Sequence, residues 1–179
     1  SNQADYQSGV LPPPLATQPD PALEDFIRSA PGYSANLAAL QSQTLNGGFF
    51  DNPLLDSDGV YRRVPMLQRF DGKLYPSLSL SVMQNIFAAE QVQLLASDDD
   101  HTLEQLDLDG LRIPVDPEGA MLVPYRGPQN SFPYVSAIEV LNGTADASTL
   151  EGAIVLLGTS AAGLLDLRAT PVQNAYPGV

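Results

Sequence analysis

Ala153-Ile154-Val155-Leu156-Leu157, followed at once by Gly158-Thr159-Ser160-Ala161-Ala162-Gly163, is the stretch that decides the fold. An apolar run with no polar interruption lacks the alternation of a strand with one wet face. It suits a strand buried on both faces, inside a sheet covered by helices. The small residues behind it make a loop leaving the end of that strand. The stretch therefore predicts an α/β fold: a mixed β-sheet with its central buried strand near 153–157.

Working outward, three helices are expected to flank that sheet. Asp20-Pro21 opens the first, near 21–30, with Asp as N-cap and Pro in the first turn. Leu23, Phe26, Ile27 and Ala30 follow at helical spacing, and Pro31-Gly32 ends it. The second, near 77–90, starts at Ser77 and gathers Leu78, Val82, Met83, Ile86, Phe87 and Ala89 on one side. The third, near 136–142, starts at Ser136 with Glu139 three residues on, the pattern of a capping box, and closes at Gly143. A shorter helix around Leu37 and Leu40 ends at Asn46-Gly47-Gly48.

Turn chemistry places the strands. Val60 to Phe70 reads as a strand, Asp71-Gly72 as a hairpin turn, and Lys73-Leu74-Tyr75 as the return strand. Segments 105–108, 111–115 and 120–125 predict a three-stranded meander across Asp109-Gly110 and Asp116-Pro117-Glu118-Gly119. Residues 1–19, with Pro12-Pro13-Pro14 at their centre, read as an extended lead-in. Residues 20–179 then form a single domain, with no internal repeat and no linker long enough to divide it. Ser1-Asn2 resembles an expression-tag remnant, and Ala175-Tyr176-Pro177-Gly178-Val179 stops in a turn-like segment. Both ends read as cut from a longer protein.

The 179 residues are 44% hydrophobic and 16% charged, a globular composition. No apolar run approaches the ~18 residues needed to cross a bilayer. With 21 acidic residues against 8 basic ones, the net charge is −13. A phosphate backbone would repel that surface, so nucleic acid is not an expected partner, and anionic lipid is disfavoured for the same reason. The absence of cysteine removes disulfides, thiolate nucleophiles and thiolate metal sites. The sole histidine is His101, beside Asp98-Asp99-Asp100 in an expected surface loop.

The glycine-bounded loop at 158–163 can cradle an anion with its backbone N–H groups, although its glycines are equally what a plain turn requires. Thr159, Ser160 and the nearby Asp166 and Arg168 are therefore candidate ligand-binding residues. Arg126 joins them: it lies just past a strand end, and a guanidinium matches carboxylate and phosphate geometry. Asp166 and Arg168 also suit a structural ion pair. Ser160 as a nucleophile lacks the last glycine of a Gly-x-Ser-x-Gly elbow and has no histidine after it, so a periplasmic serine hydrolase is a remote alternative. Asp56-x-Asp58-Gly and Asp107-x-Asp109-Gly lack the ligand count of a calcium loop, with Leu67 where a bidentate Glu would fall. No metal, cofactor or catalytic residue is assigned. Of Arg62 and Arg63, whichever points inward needs a carboxylate or carbonyl partner.

Asp56-Ser57-Asp58-Gly59-Val60-Tyr61-Arg62-Arg63-Val64-Pro65 resembles a central motif of the second type of CHASE domain (cyclase/histidine-kinase-associated sensory extracellular). So do Tyr75-Pro76-Ser77-Leu78-Ser79-Leu80, Pro124-Tyr125-Arg126-Gly127-Pro128 and Val140-Leu141-Asn142-Gly143. The clearest block runs from Leu150-Glu151-Gly152 through Gly158–Asp166 to Ala169-Thr170-Pro171 and Pro177-Gly178-Val179. These blocks follow family order over roughly 35–179. The resemblance implies the C-terminal portion of a larger ectodomain, on the extracytoplasmic side of an inner-membrane protein. It implies attachment through flanking transmembrane helices to an adenylate cyclase, histidine kinase or Ser/Thr kinase, as in two-component systems. It further implies a non-enzymatic sensor of a small-molecule or protein signal. A ligand-free structural element that forms a homodimer is the alternative.

Overall fold

The structure is a computed structural model that describes residues 6–17, 20–44, 46–159 and 167–177. The chain forms two compact units: Ser1–Leu54 with Arg63–Leu122, and Leu55–Arg62 with Val123–Val179.

The first unit opens with β1 (Gln7–Ser8), which pairs in parallel with β2 (Tyr33–Ser34). Between them lies α1 (Pro21–Glu24), capped as the sequence predicts: the Asp20 carboxylate accepts from the Ala22 N–H. The helix ends at Glu24 instead of running to 30. The reason is competition for backbone partners. Arg69 donates its N–H to the Arg28 carbonyl, and its own carbonyl accepts from Ala30, which pulls residues 28–30 into extended pairing. α2 (Ala38–Gln41) follows, with Leu37 and Leu40 exposed.

Val60 to Phe70 is not one strand. β3 (Arg63–Pro65) pairs with β9 (Ala120–Leu122), whereas β4 (Leu67–Phe70) pairs with β5 (Lys73–Pro76). Asp71 and Gly72 both take positive φ, at 49° and 69°, which closes the β4–β5 hairpin tightly. α3 (Leu78–Phe87) starts where the Ser77 hydroxyl accepts from the Leu80 N–H, and ends on Ala88 in the left-handed conformation.

The expected meander is displaced by one strand. β6 (Gln93–Ala96), β7 (Leu103–Leu108) and β8 (Leu111–Pro114) form the antiparallel sheet, with β7 central. β9 leaves it because the turn at 116–119 redirects the chain. There the Asp116 carboxylate accepts from the N–H groups of Glu118 and Ala120. Asp116 also pairs with Arg63 at 2.9 Å, on the strand beside β9. The apolar core lies here: Leu23, Ile27, Leu67, Leu74, Leu80, Val92, and Leu103, Leu106 and Leu108 of β7 are all buried.

The second unit holds α4 (Ala137–Leu141), α5 (Ala147–Leu150) and an antiparallel hairpin of β10 (Leu167–Thr170) and β11 (Gln173–Pro177). The turn-like ending expected from Ala175 is strand through Pro177. Ser136 starts α4 without a side-chain capping bond, so the capping box is not made. The buried central strand is also corrected. Residues 153–157 have no strand pairing, and Ile154, Val155, Leu156 and Leu157 are 66, 61, 66 and 89% exposed. A run that is apolar on both faces is buried only where layers exist to cover both. The described part of this unit offers neither layer. In place of one mixed sheet there are small separate sheets, antiparallel except for the β1–β2 pair. The mixture of helices and strands itself is the α/β class expected.

Candidate functional site

The second unit carries the sequence-predicted site residues. Ser160 and Asp166 lie outside the described residues. Thr159 and Arg126 are exposed, and Arg168 is exposed on β10. The packing of the 158–166 loop beside Arg126 therefore also falls outside the described residues.

What the structure brings together around Arg168 is aromatic. Its guanidinium carbon sits 5.9 Å from the centre of the Tyr61 ring, within cation–π range. Tyr61 is held there by its own backbone: its N–H donates to the Ala169 carbonyl at 2.9 Å, and its carbonyl accepts from the Tyr125 hydroxyl at 2.9 Å. Tyr125 packs edge-on against Tyr176, with ring centres 5.9 Å apart. Tyr176 in turn stands opposite Arg168 in the hairpin register. Burial, then the neighbouring Tyr176, pushes the Tyr125 phenol above its ordinary value, so it stays a hydrogen-bond donor at neutral pH.

The segment carrying Arg126 is thereby tied to the hairpin carrying Arg168. The Gln129 N–H donating to the Gln173 Oε1 at 2.9 Å adds a second tie. Sequence reasoning picked out the two arginines but missed Tyr61, Tyr125 and Tyr176. The available signal was the tyrosine directly before a motif arginine, in Tyr61-Arg62 and Tyr125-Arg126; Arg168 and Tyr176 carry no such signal. An exposed guanidinium backed by an aromatic ring attracts a carboxylate or phosphate while leaving a flat apolar face beside it.

The Asp56-Ser57-Asp58-Gly59 turn is spoken for by Arg62. The guanidinium lies 2.8 Å from Asp56 Oδ2 and 2.7 Å from Asp58 Oδ2, with a further bond of 2.9 Å to Asp58 Oδ1. These carboxylates serve a turn. Arg62 holds the Asp58 carboxyl down at about 2. His101 belongs to the first unit, where its Nε2 lies 3.7 Å from an Asp20 carboxylate oxygen on the surface. Among the described residues no helix is long and apolar enough to cross a membrane.

The family model of the CHASE2 domain matches residues 2–179. That range includes the segment before residue 35 that the motifs leave out. No curated protein and no solved structure matches the chain. The motif blocks and the family match agree, and the chain belongs to the CHASE2 domain family, an extracellular sensory domain family of signalling proteins.

Proposed function

We propose that this chain is the extracytoplasmic input module of a bacterial transmembrane receptor, which receives a signal and passes it to a cytoplasmic adenylate cyclase or kinase. The family match over residues 2–179 carries this reading. The signal is a small molecule or a protein, and the membrane is reached only through flanking helices. Nucleic acid is no partner of a surface with a net charge of −13. No catalytic residue, metal or cofactor is assigned.

The tyrosine–arginine cluster supports a ligand site for an anion or small polar ligand around Arg168 and Arg126, extending to Thr159, Ser160 and Asp166. The test is receptor output. In a membrane-embedded receptor carrying this module, Arg168→Ala should lower the response to signal without lowering expression. An unchanged response across Arg126→Ala, Arg168→Ala and their double variant would remove the site.

A second reading has its own observation. Leu141, Val155, Leu156 and Leu157 are exposed, and exposed apolar patches mark contact surfaces. On that reading the module is a ligand-free dimerisation element. Sedimentation would show concentration-dependent association that no ligand alters.

A further inference from the structure

The first unit contains a cleft of about 350 Å³ between α3, the proline-rich lead-in and the loop at Asn46-Gly47. That volume is in the range of small-molecule sites. Ser81, on α3, lines it. Ser81 is only 3% exposed, and its hydroxyl makes no hydrogen bond with any described residue. The contrast with Ser77, one turn earlier, is informative: its hydroxyl caps the helix. Among the described residues the sealed polar atom without a partner is Gln105 Oε1, so the Ser81 hydroxyl still reaches the cleft and is open to a donor or acceptor from an occupant.

The other polar groups of the cleft lean one way. Glu90 brings an exposed carboxylate, and Gln84 an amide. Asn46 has its Nδ2 engaged with Asn85 Oδ1 at 2.8 Å, which leaves its carbonyl oxygen as an acceptor. The C-terminal end of α3, a ten-residue helix, adds the negative end of its dipole. No lysine or arginine is among the lining residues. The lining also has an apolar part: Pro13, Pro14, Leu15 and Ala89.

Both walls are pinned. Leu15 donates its N–H to the Leu74 carbonyl at 2.8 Å, and the Ala16 carbonyl accepts from Val92 at 3.1 Å. The loop beyond Asn46 lies against the helix start. A Cβ on Gly48 would come within 2.5 Å of the Ser77 carbonyl oxygen and the Leu78 nitrogen. The Phe49 N–H and carbonyl bond Pro76 and Leu78, at 3.0 and 2.7 Å. A cleft with fixed walls does not spend binding energy on ordering itself.

We propose that this cleft binds a small primary ammonium compound with a short apolar body. The ammonium group lies toward Glu90 and the carbonyl oxygens, Ser81 supplies a hydrogen bond at depth, and the apolar body rests on the proline rings. The biological meaning rests on the sensory reading above; the binding itself does not.

The experiment is an amide chemical-shift titration of the 179-residue chain with n-butylammonium chloride, n-butanol and sodium butyrate. The ammonium probe should give saturable shifts at Ser81, Gln84, Ala89 and Glu90, with butanol weaker and butyrate weakest. Glu90→Gln, at an exposed position, should leave the fold unchanged. It should weaken ammonium binding by about fivefold, the size of an exposed ion pair, and leave butanol alone. Equal binding of butyrate, or saturable shifts located only outside these residues, would overturn the cleft. Those results leave the receptor-output test untouched, and failure of that test alone leaves the cleft standing.

Discussion

Arg62 grips Asp58 at two points, Nη1 to Oδ1 at 2.9 Å and Nη2 to Oδ2 at 2.7 Å, four residues apart around a turn. The same guanidinium bonds Asp56 Oδ2 at 2.8 Å, so one side chain closes the whole Asp56–Arg62 loop.

That grip predicts a titration. Asp58 has a folded-state value of about 2 against an ordinary 3.8, first because of the Arg62 hydrogen bonds. A lowered carboxyl value means the pair's contribution is present above about 3.8 and lost as pH falls through about 2. Carboxyl carbon shifts should show Asp58 titrating near 2, and Arg62→Gln should return it toward 3.8. A midpoint near 3.8 in the unaltered chain would deny the bidentate pair.

Burial sorts the leucines. Leu106 on β7 is fully buried, so Leu106→Ala should cost about 2–5 kcal/mol in denaturant unfolding. Leu156, fully apolar in sequence but exposed, should behave oppositely. Leu156→Asp should change monomer stability by no more than about 0.5 kcal/mol, while reducing any self-association seen by sedimentation. A collapse of the fold on Leu156→Asp would show that the run is buried after all.

At Gly48 the constraint is steric. Alanine there would place its Cβ 2.5 Å from the backbone of Ser77 and Leu78. Backbone cannot swing aside as a long side chain does, so Gly48→Ala should destabilise by about 1–3 kcal/mol. Gly72→Ala meets open space and is opposed only by its φ of 69°, so its cost should be smaller. Thermal melts of the two variants decide the order.

Tyr125 and its neighbour should separate cleanly. Tyr125→Phe removes the hydroxyl that bonds the Tyr61 carbonyl and should cost about 1 kcal/mol. Arg126→Ala, at an exposed side chain, should leave the ligand-free melting temperature nearly unchanged. A large loss on Arg126→Ala would make that arginine structural.

Local chemistry was legible in the sequence. The Asp20 and Ser77 caps and the Asp71-Gly72 and Asp109-Gly110 turns depend on neighbours within a few residues, and the structure has them all. Long-range pairing was not. Nothing near Ala120–Leu122 says that its partner is Arg63–Pro65 instead of β8, because that choice is made by a turn and by an ion pair to Asp116. Residues 153–157 were misjudged for a related reason: an apolar run announces that it needs cover, not whether cover is at hand. The candidate site was half legible. Arginines stand out in an acidic sequence, whereas Tyr61, Tyr125 and Tyr176 converge only through folding.

Every buried apolar side chain among the described residues belongs to the first unit, while in the second the buried residue is Thr170. Heat capacity follows apolar surface, so the calorimetric signature of unfolding should come almost wholly from the first unit. Amide hydrogens of β7 should exchange only through its global opening, in hours or longer. Those of residues 154–157 should exchange within seconds, at the rate of open chain. The first unit thus carries its own apolar core, whereas on the dimerisation reading the second would gain its cover from a partner. An exchange map taken with and without a partner would then register the encounter chiefly in the second half.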